Sequence, residues 1–185
     1  GDVIENNNSG IPDKKLYRAI LKELGKKPNK KFTKQEAAKL KFLNASYKGI
    51  KNLKGIKYLK QLKQLDLEAN GLKNLKGIQS LTNLTELNIS RNSLKNLKQL
   101  KTLKKLKILD ASENEINSLS GIEKLKKMES LHLERNQIRS IKELKNLKEL
   151  KSLNIWFNQV ENLKGLGNQK KLEDLYLNGN NLKNI

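Results

Sequence analysis

One pattern recurs every 22 residues, and it governs what this chain can fold into. Leu40, Leu62, Leu84, Leu106, Met128, Leu150 and Leu172 open seven successive copies. In the second copy the apolar or Asn positions are Leu62, Leu65, Leu67, Asn70, Leu72, Leu75, Ile78 and Leu81, at steps of 3, 2, 3, 2, 3, 3 and 3. The step of two between Leu65 and Leu67 is strand periodicity, in which alternate side chains share a face. From Leu72 onward the period of three suits extended turns or a 3₁₀ stretch. A short strand with an irregular return cannot bury its own apolar edge, so the copies must stack.

Written as L-x-x-L-x-L-x-x-N-x-L, the pattern resembles the leucine-rich repeat. That resemblance implies an α/β solenoid: a right-handed horseshoe with parallel β-strands on its concave face and a 3₁₀ or irregular convex side. Residues 40–185 hold seven copies, the last incomplete. Asn70, Asn92, Asn114, Asn136, Asn158 and Asn180 stand in register, and only the first copy differs, with Lys48. In a turn that points into the stack, backbone groups lose water and need partners, and an amide side chain can both donate and accept. The spacing therefore predicts a structural asparagine ladder rather than a set of ligand contacts.

Residues 2–10, with the run Asn6-Asn7-Asn8-Ser9-Gly10, read as a disordered leader within a 1–10 segment. Residues 11–39 read as a helical N-terminal cap. Pro12 suits a first helical turn, Leu16, Ile20, Leu21 and Leu24 form a stripe, and Gly25 is placed to end the helix, which predicts a helix over about 13–24. Thr33 and Glu36 have capping-box spacing after Phe32, which predicts a second short helix ending near Leu40. The two would cover the open end of the first copy.

The stretch Ile11-Pro-Asp-Lys-Lys-Leu-Tyr-Arg-Ala-Ile-Leu-Lys-Glu-Leu-Gly-Lys, then Phe32-Thr-Lys-Gln-Glu-Ala-Ala and the 22-residue copies, resembles the cap and repeats of the internalins, which are bacterial surface proteins. The resemblance covers about residues 11–185. It implies export to the extracellular space or the cell surface, and a concave face that binds another protein. The pattern departs from the family at Ile185, inside a copy, with no immunoglobulin-like segment and no wall-anchoring motif, so anchoring and virulence roles do not carry over. Leu172, Leu175, Leu177, Leu182 and Ile185 would leave an apolar edge there, through which the chain could self-associate. Gln169, where other copies have Leu, reads as a terminal irregularity.

Composition removes several function classes. Without Cys there are no disulfides and no thiolate chemistry, and the one His, His132, cannot build a metal site alone. No run is long and apolar enough to span a membrane. No cofactor is expected. The net charge of +20 invites a nucleic-acid reading. Against it, only Arg18, Arg91, Arg135 and Arg139 among the 39 basic residues are Arg. Specific nucleic-acid recognition leans on the Arg fork and on motifs that are missing here. Most Lys sit between the period-three apolar positions, as at Lys51, Lys54, Lys57 and Lys60, which puts them on the convex side and flanks.

The strand face differs. Its outward positions include Asp66, Glu68, Glu86, Asp110, Glu113, Glu134 and Asp174 against only Arg91 and Arg135, an acidic floor in a basic protein. Trp156 and Phe157 follow the inward Ile155, with Glu134 and Arg135 one copy back, His132 beside them and Tyr176 one copy on. Exposed Trp, Tyr and Arg are the residue types that carry interface energy. Phe42, Tyr47 and Ile108 make a second, weaker patch. Ser112 and Ser130 lack a Ser-His-Asp set beyond His132, and open-face carboxylates lack a pocket to separate an acid from a base. Sequence alone thus points to a non-enzymatic protein-binding scaffold with an unidentified protein ligand. The alternative is an adhesin that binds polyanions, such as teichoic acid or glycosaminoglycan, through its convex Lys.

Overall fold

The computed structural model describes residues 2–183, so Ile185 of the terminal edge lies outside them. Seven three-residue strands form one parallel sheet in chain order: β3 (Phe42–Asn44), β4 (Gln64–Asp66), β5 (Glu86–Asn88), β6 (Ile108–Asp110), β7 (Ser130–His132), β8 (Ser152–Asn154) and β9 (Asp174–Tyr176). Each pairs with the next at an offset of one full copy, Leu43 with Leu65 and Leu65 with Leu87. The sequence period therefore becomes a spatial register, and every position of the motif becomes a column running along the stack. Leu43, Leu65, Leu87, Leu109, Leu131 and Leu153 are the buried middle residues of their strands. Single 3₁₀ segments, such as Ile56–Tyr58 and Ile78–Ser80, lie on the convex return where the period is three. The chain forms a leucine-rich repeat horseshoe.

Strands this short are secured by the turns at their C-terminal ends. Asn70 Nδ2 donates to Leu67 O and, one coil back, to Ala45 O, both at 2.9 Å. Its Oδ1 accepts from Ile50 N at 3.0 Å and Lys48 N at 3.1 Å. The same pattern recurs at Asn92, Asn114, Asn136, Asn158 and Asn180. Each amide closes its own turn and ties it to the preceding coil. At Lys48 no such amide exists, and the Asn70 side chain supplies the acceptor from the next coil.

Gln169 occupies its Leu position with full pairing. Its Nε2 donates to Leu144 O at 2.7 Å and Gly165 O at 3.0 Å, and its Oε1 accepts from Gly167 N at 3.0 Å. The side chain is buried and replaces apolar packing with three backbone bonds.

Helix α1 (Lys14–Glu23) and helix α2 (Lys34–Lys39) cover the first coil. Asp13 Oδ1 caps α1 by accepting from Lys15 N and Leu16 N, while its Oδ2 accepts from Lys51 N at 2.7 Å and Asn52 N at 3.2 Å. One carboxylate thus starts the helix and joins it to the solenoid. At the other end Gly25, at φ +72°, donates to Lys22 O, and Lys26 N donates to Leu21 O. This is the left-handed glycine termination that satisfies the last helical carbonyls. The Thr33–Glu36 capping box opens α2.

The leader is ordered, contrary to the expectation of a disordered segment at 2–10. Strand β1 (Val3–Ile4) pairs antiparallel with β2 (Phe32–Thr33), and Ile4 is buried. Tyr17 Oη donates to Ile4 O at 2.7 Å, and Asn7 Oδ1 accepts from Gly10 N at 2.9 Å. The asparagine run forms a side-chain-closed turn that lets Ile4 and Ile11 reach the core, which outweighs its polar composition. Gly10 then lies so close to Gly55 that a Cβ on Gly55 would come within 2.5 Å of Gly10 O.

Candidate functional site

The concave face presents four outward columns per coil. The first runs Phe42, Gln64, Glu86, Ile108, Ser130, Ser152 and Asp174; the second runs Asn44, Asp66, Asn88, Asp110, His132, Asn154 and Tyr176. In the second column the Asn and Asp side chains accept from the backbone N–H two residues on, as Asp66 does from Glu68 N at 2.9 Å and Asp110 from Ser112 N at 3.0 Å. Asp66 and Asp110 are therefore partly committed to turn closure, a role that the acidic-floor reading missed. The recurring Asn or Asp just after each strand's inward Leu was the signal for it. His132 and Tyr176 break this column, so these two coils expose a different chemistry there.

The third and fourth columns carry Glu68, Ser90, Ser112, Glu134 and Trp156, of which Ser90 and Ser112 are buried, then Tyr47, Ala69, Arg91, Glu113, Arg135 and Phe157. Every one of these six fourth-column residues has positive φ, between +53° and +58°. Their N–H groups donate across the stack, Arg135 N to Trp156 O at 2.8 Å and Phe157 N to Asn178 O at 2.9 Å, which holds a conformation that side chains other than Gly disfavour. The rim of the trough is consequently fixed in direction, and its side chains lean along the stack toward neighbouring coils.

Two clusters result. Arg91 Nε donates to Glu113 at 2.9 Å and lies 3.7 Å from Glu68, while its Nη1 donates to Tyr47 Oη at 2.8 Å. Four consecutive coils are laced together this way, and Tyr47, placed by sequence in a minor aromatic patch, belongs to this polar network. Phe42 and Ile108 stay exposed and line, with Asp66, Asp110 and His132, a shallow trough of about 310 Å³.

The second cluster is aromatic. The Trp156 ring meets Tyr176 edge-on at 5.5 Å and Phe157 at 6.3 Å. The Arg135 guanidinium lies over the Phe157 ring at 4.5 Å, and the same ring covers Gly179, where a Cβ would approach it to 2.7 Å. Trp156, Phe157 and Tyr176 remain 37%, 48% and 42% exposed. They pack on one another without being taken into the core. Beside them His132 Nε2 is 3.1 Å from Ser130 Oγ, and Nδ1 is 3.8 Å from the Glu134 carboxylate. Glu134 raises the imidazole pKa against the opposing effect of partial burial, and Asp110 adds to the rise.

Ser130 and His132 of β7 and Glu134 just beyond it thus line up in the order of a hydrolytic triad. The surroundings do not extend that likeness. Strand β7 is interior to the sheet, with Ser130 N donating to Lys107 O and Leu133 N to Asn154 O, so these donors are spent in the ladder. A hydrolytic site needs donors aimed at a developing oxyanion.

Among the described residues no group of acidic or His side chains could hold a metal, and no helix is long and apolar enough to cross a membrane. A recess of about 610 Å³ lies away from this face, where the leader meets the first two coils, and is lined by Lys51, Lys54, Lys57 and Lys76 together with Asn52, Tyr58, Asn74 and Gln79.

The sequence profile described as leucine-rich repeats (two copies) matches residues 104–146. Among solved structures, internalin C2 of Listeria monocytogenes is 23% identical over all of this chain and 92% of its own, with a TM-score of 0.74, a likeness of fold. A leucine-rich repeat protein of Leptospira interrogans is 36% identical over 70% of this chain, with a TM-score of 0.67, and this chain covers 34% of that one. Among curated proteins, none matches the sequence.

Proposed function

We propose that this chain, an internalin-like leucine-rich repeat protein, is a non-enzymatic scaffold that seats a protein ligand in its concave trough, on the outside of a bacterial cell. Repeat folds of this kind act in protein–protein interaction, and the observation that carries the reading here is the Trp156–Phe157–Tyr176 cluster. Three large aromatic side chains stand together on an open strand face, in contact with one another and partly bare to water. Rigid aromatics flanked by Arg are the residues around which binding energy concentrates, because they offer large apolar area with few rotatable bonds.

Arg135, Glu134 and His132 add charged groups around the apolar patch, which suits a ligand with an apolar centre and polar surroundings. The secreted or surface setting rests on the internalin resemblance of the cap and repeats, and the acidic floor with its lysine-rich exterior fits a molecule that presents one face to its partner.

Trp156 is the chain's single tryptophan, so its fluorescence reports on the cluster directly. Surface extracts of host and bacterial cells are passed over immobilised wild type and a Trp156→Ala/Phe157→Ala variant of equal stability. A specific protein is expected to be retained by the wild type, with its purified form shifting Trp156 emission and binding the variant about thirtyfold more weakly, the scale of a hot-spot loss near 2 kcal/mol. Equal retention by both proteins rejects the concave aromatic site.

A further inference from the structure

The lysines are unevenly distributed around the coil. On the flank where the convex return runs into each strand, three outward positions surround the inward residue that opens a copy, as Lys104, Lys105 and Lys107 surround Leu106. Across the six copies from Leu62 onward this leading flank holds eleven Lys and three Glu. The three outward positions on the opposite flank, just after the asparagine ladder, hold four basic and two acidic residues over the same copies.

The leading flank is also in strict register. Lys63 N donates to Lys41 O, Thr85 N to Lys63 O, Lys107 N to Thr85 O and Glu129 N to Lys107 O, all at 2.8–2.9 Å. The ladder thus extends one residue ahead of the strands, and equivalent side chains are spaced by about 4.8 Å, the distance between paired strands.

Two of the three glutamates are paired with a lysine one coil on, Glu129 with Lys151 and Glu149 with Lys171. Lys104, Lys105, Lys107, Lys126 and Lys127, on two adjacent coils, are exposed, and among the described residues none makes an ion pair. Lys105 reaches only the neutral Asn83, at 2.7 Å. Five like charges are therefore held together by the register of the solenoid, in a strip whose adjoining concave residues are the neutral Ile108 and Ser130, with Glu86 one coil back and Asp110 one column further in.

We infer that this leading flank binds a flexible, linear anionic glycopolymer laid along the stack, crossing the coils at Lys104–Lys107 and Lys126–Lys127. A strip of positive charge with fixed spacing fits a chain of sulfate or phosphate groups, whose bound counterions are released as the ammonium groups replace them. Ammonium groups act as compact point charges and suit a ligand read by charge density. Arg forks and aromatic platforms, which nucleic acids call for, are missing from the strip. The surface is separate from the aromatic trough and does not depend on it.

The test uses a heparin oligosaccharide as the probe. Wild type is compared with a Lys104→Gln/Lys105→Gln/Lys107→Gln/Lys126→Gln/Lys127→Gln variant and with a control that removes equal charge from the convex side, Lys54→Gln/Lys76→Gln/Lys98→Gln/Lys142→Gln/Lys145→Gln. Circular dichroism confirms that all three fold. Five ammonium contacts predict that wild-type affinity falls on the order of a hundredfold between about 50 and 200 mM salt. The flank variant is expected to bind at least about tenfold more weakly than the convex control at low salt and to lose most of that salt dependence. Equal weakening in both variants would mean that net charge alone attracts the polymer, and it overturns the assignment. So does binding of duplex DNA or anionic vesicles as strong as that of heparin at matched charge.

Discussion

At the scale of single residues, the asparagine ladder shows how one side chain can serve two coils. Asn114 Nδ2 donates to Ile89 O and Ala111 O, and its Oδ1 accepts from Leu94 N. Asn114→Ala leaves Leu94 N without an acceptor in a buried turn and takes one of two amide donors from each of Ile89 O and Ala111 O, which keep those of Asn92 and Asn136. The variant is expected to be less stable by about 1–3 kcal/mol, read from its chemical denaturation midpoint. His132 makes the other residue-scale prediction. Its pKa is raised in the folded protein, chiefly by Glu134, so the folded state holds the proton more tightly than the unfolded chain. The stabilisation is complete below the ordinary His value of about 6.5 and is lost as pH rises through the folded value. In a His132→Gln variant the stability–pH curve should be flatter in that window. An unchanged slope would mean that the imidazole and Glu134 do not interact in solution.

Elements in this molecule are too short to stand by propensity, and their limits are set by side chains that bind backbone. Gln169 illustrates the point against the motif's own consensus. A Leu there would restore the repeat pattern and add up to about 2 kcal/mol of burial. It would also strip Gly165 O and Gly167 N of their partners, at about 1–2 kcal/mol each, and take one of two donors from Leu144 O, which keeps Leu147 N. Gln169→Leu is therefore expected to lower stability by roughly 1 kcal/mol, and a rise in the thermal midpoint would contradict the hydrogen-bond account.

Elements also separate what could be read from the chain from what could not. The strands, the asparagine column and both helix caps follow from spacing and cap chemistry, which act within a few residues. The leader does not, because the order of Val3–Ile4 depends on pairing with Phe32–Thr33 some thirty positions away. The exposed places of Trp156 and Tyr176 follow from strand alternation once the register is known, whereas Phe157 is turned outward by its left-handed backbone beyond the end of β8. The partial commitment of Asp66 and Asp110 to turns, and the lacing of Tyr47, Glu68, Arg91 and Glu113 through four coils, depend on rotamers that no periodicity specifies.

The whole molecule is a one-dimensional stack in which each coil touches chiefly its neighbours. Removing residues 84–105, one complete 22-residue unit, brings Leu62's coil against Leu106's with every column preserved. The shortened protein is expected to keep its circular dichroism signature and to melt at a lower temperature, since one interface is lost. Removing 11 residues instead should abolish cooperative unfolding, because each strand then meets a return segment of its neighbour.

The cap also determines how the sheet meets the outside at its first strand. Glu23 Oε1 accepts from Asn44 N at 3.0 Å, so a donor of β3 that would otherwise face water is already taken by a carboxylate. An unguarded strand border is a template on which foreign peptide can polymerise. Helix α1 therefore acts as a stopper against fibrous growth from that border, quite apart from any apolar surface it covers.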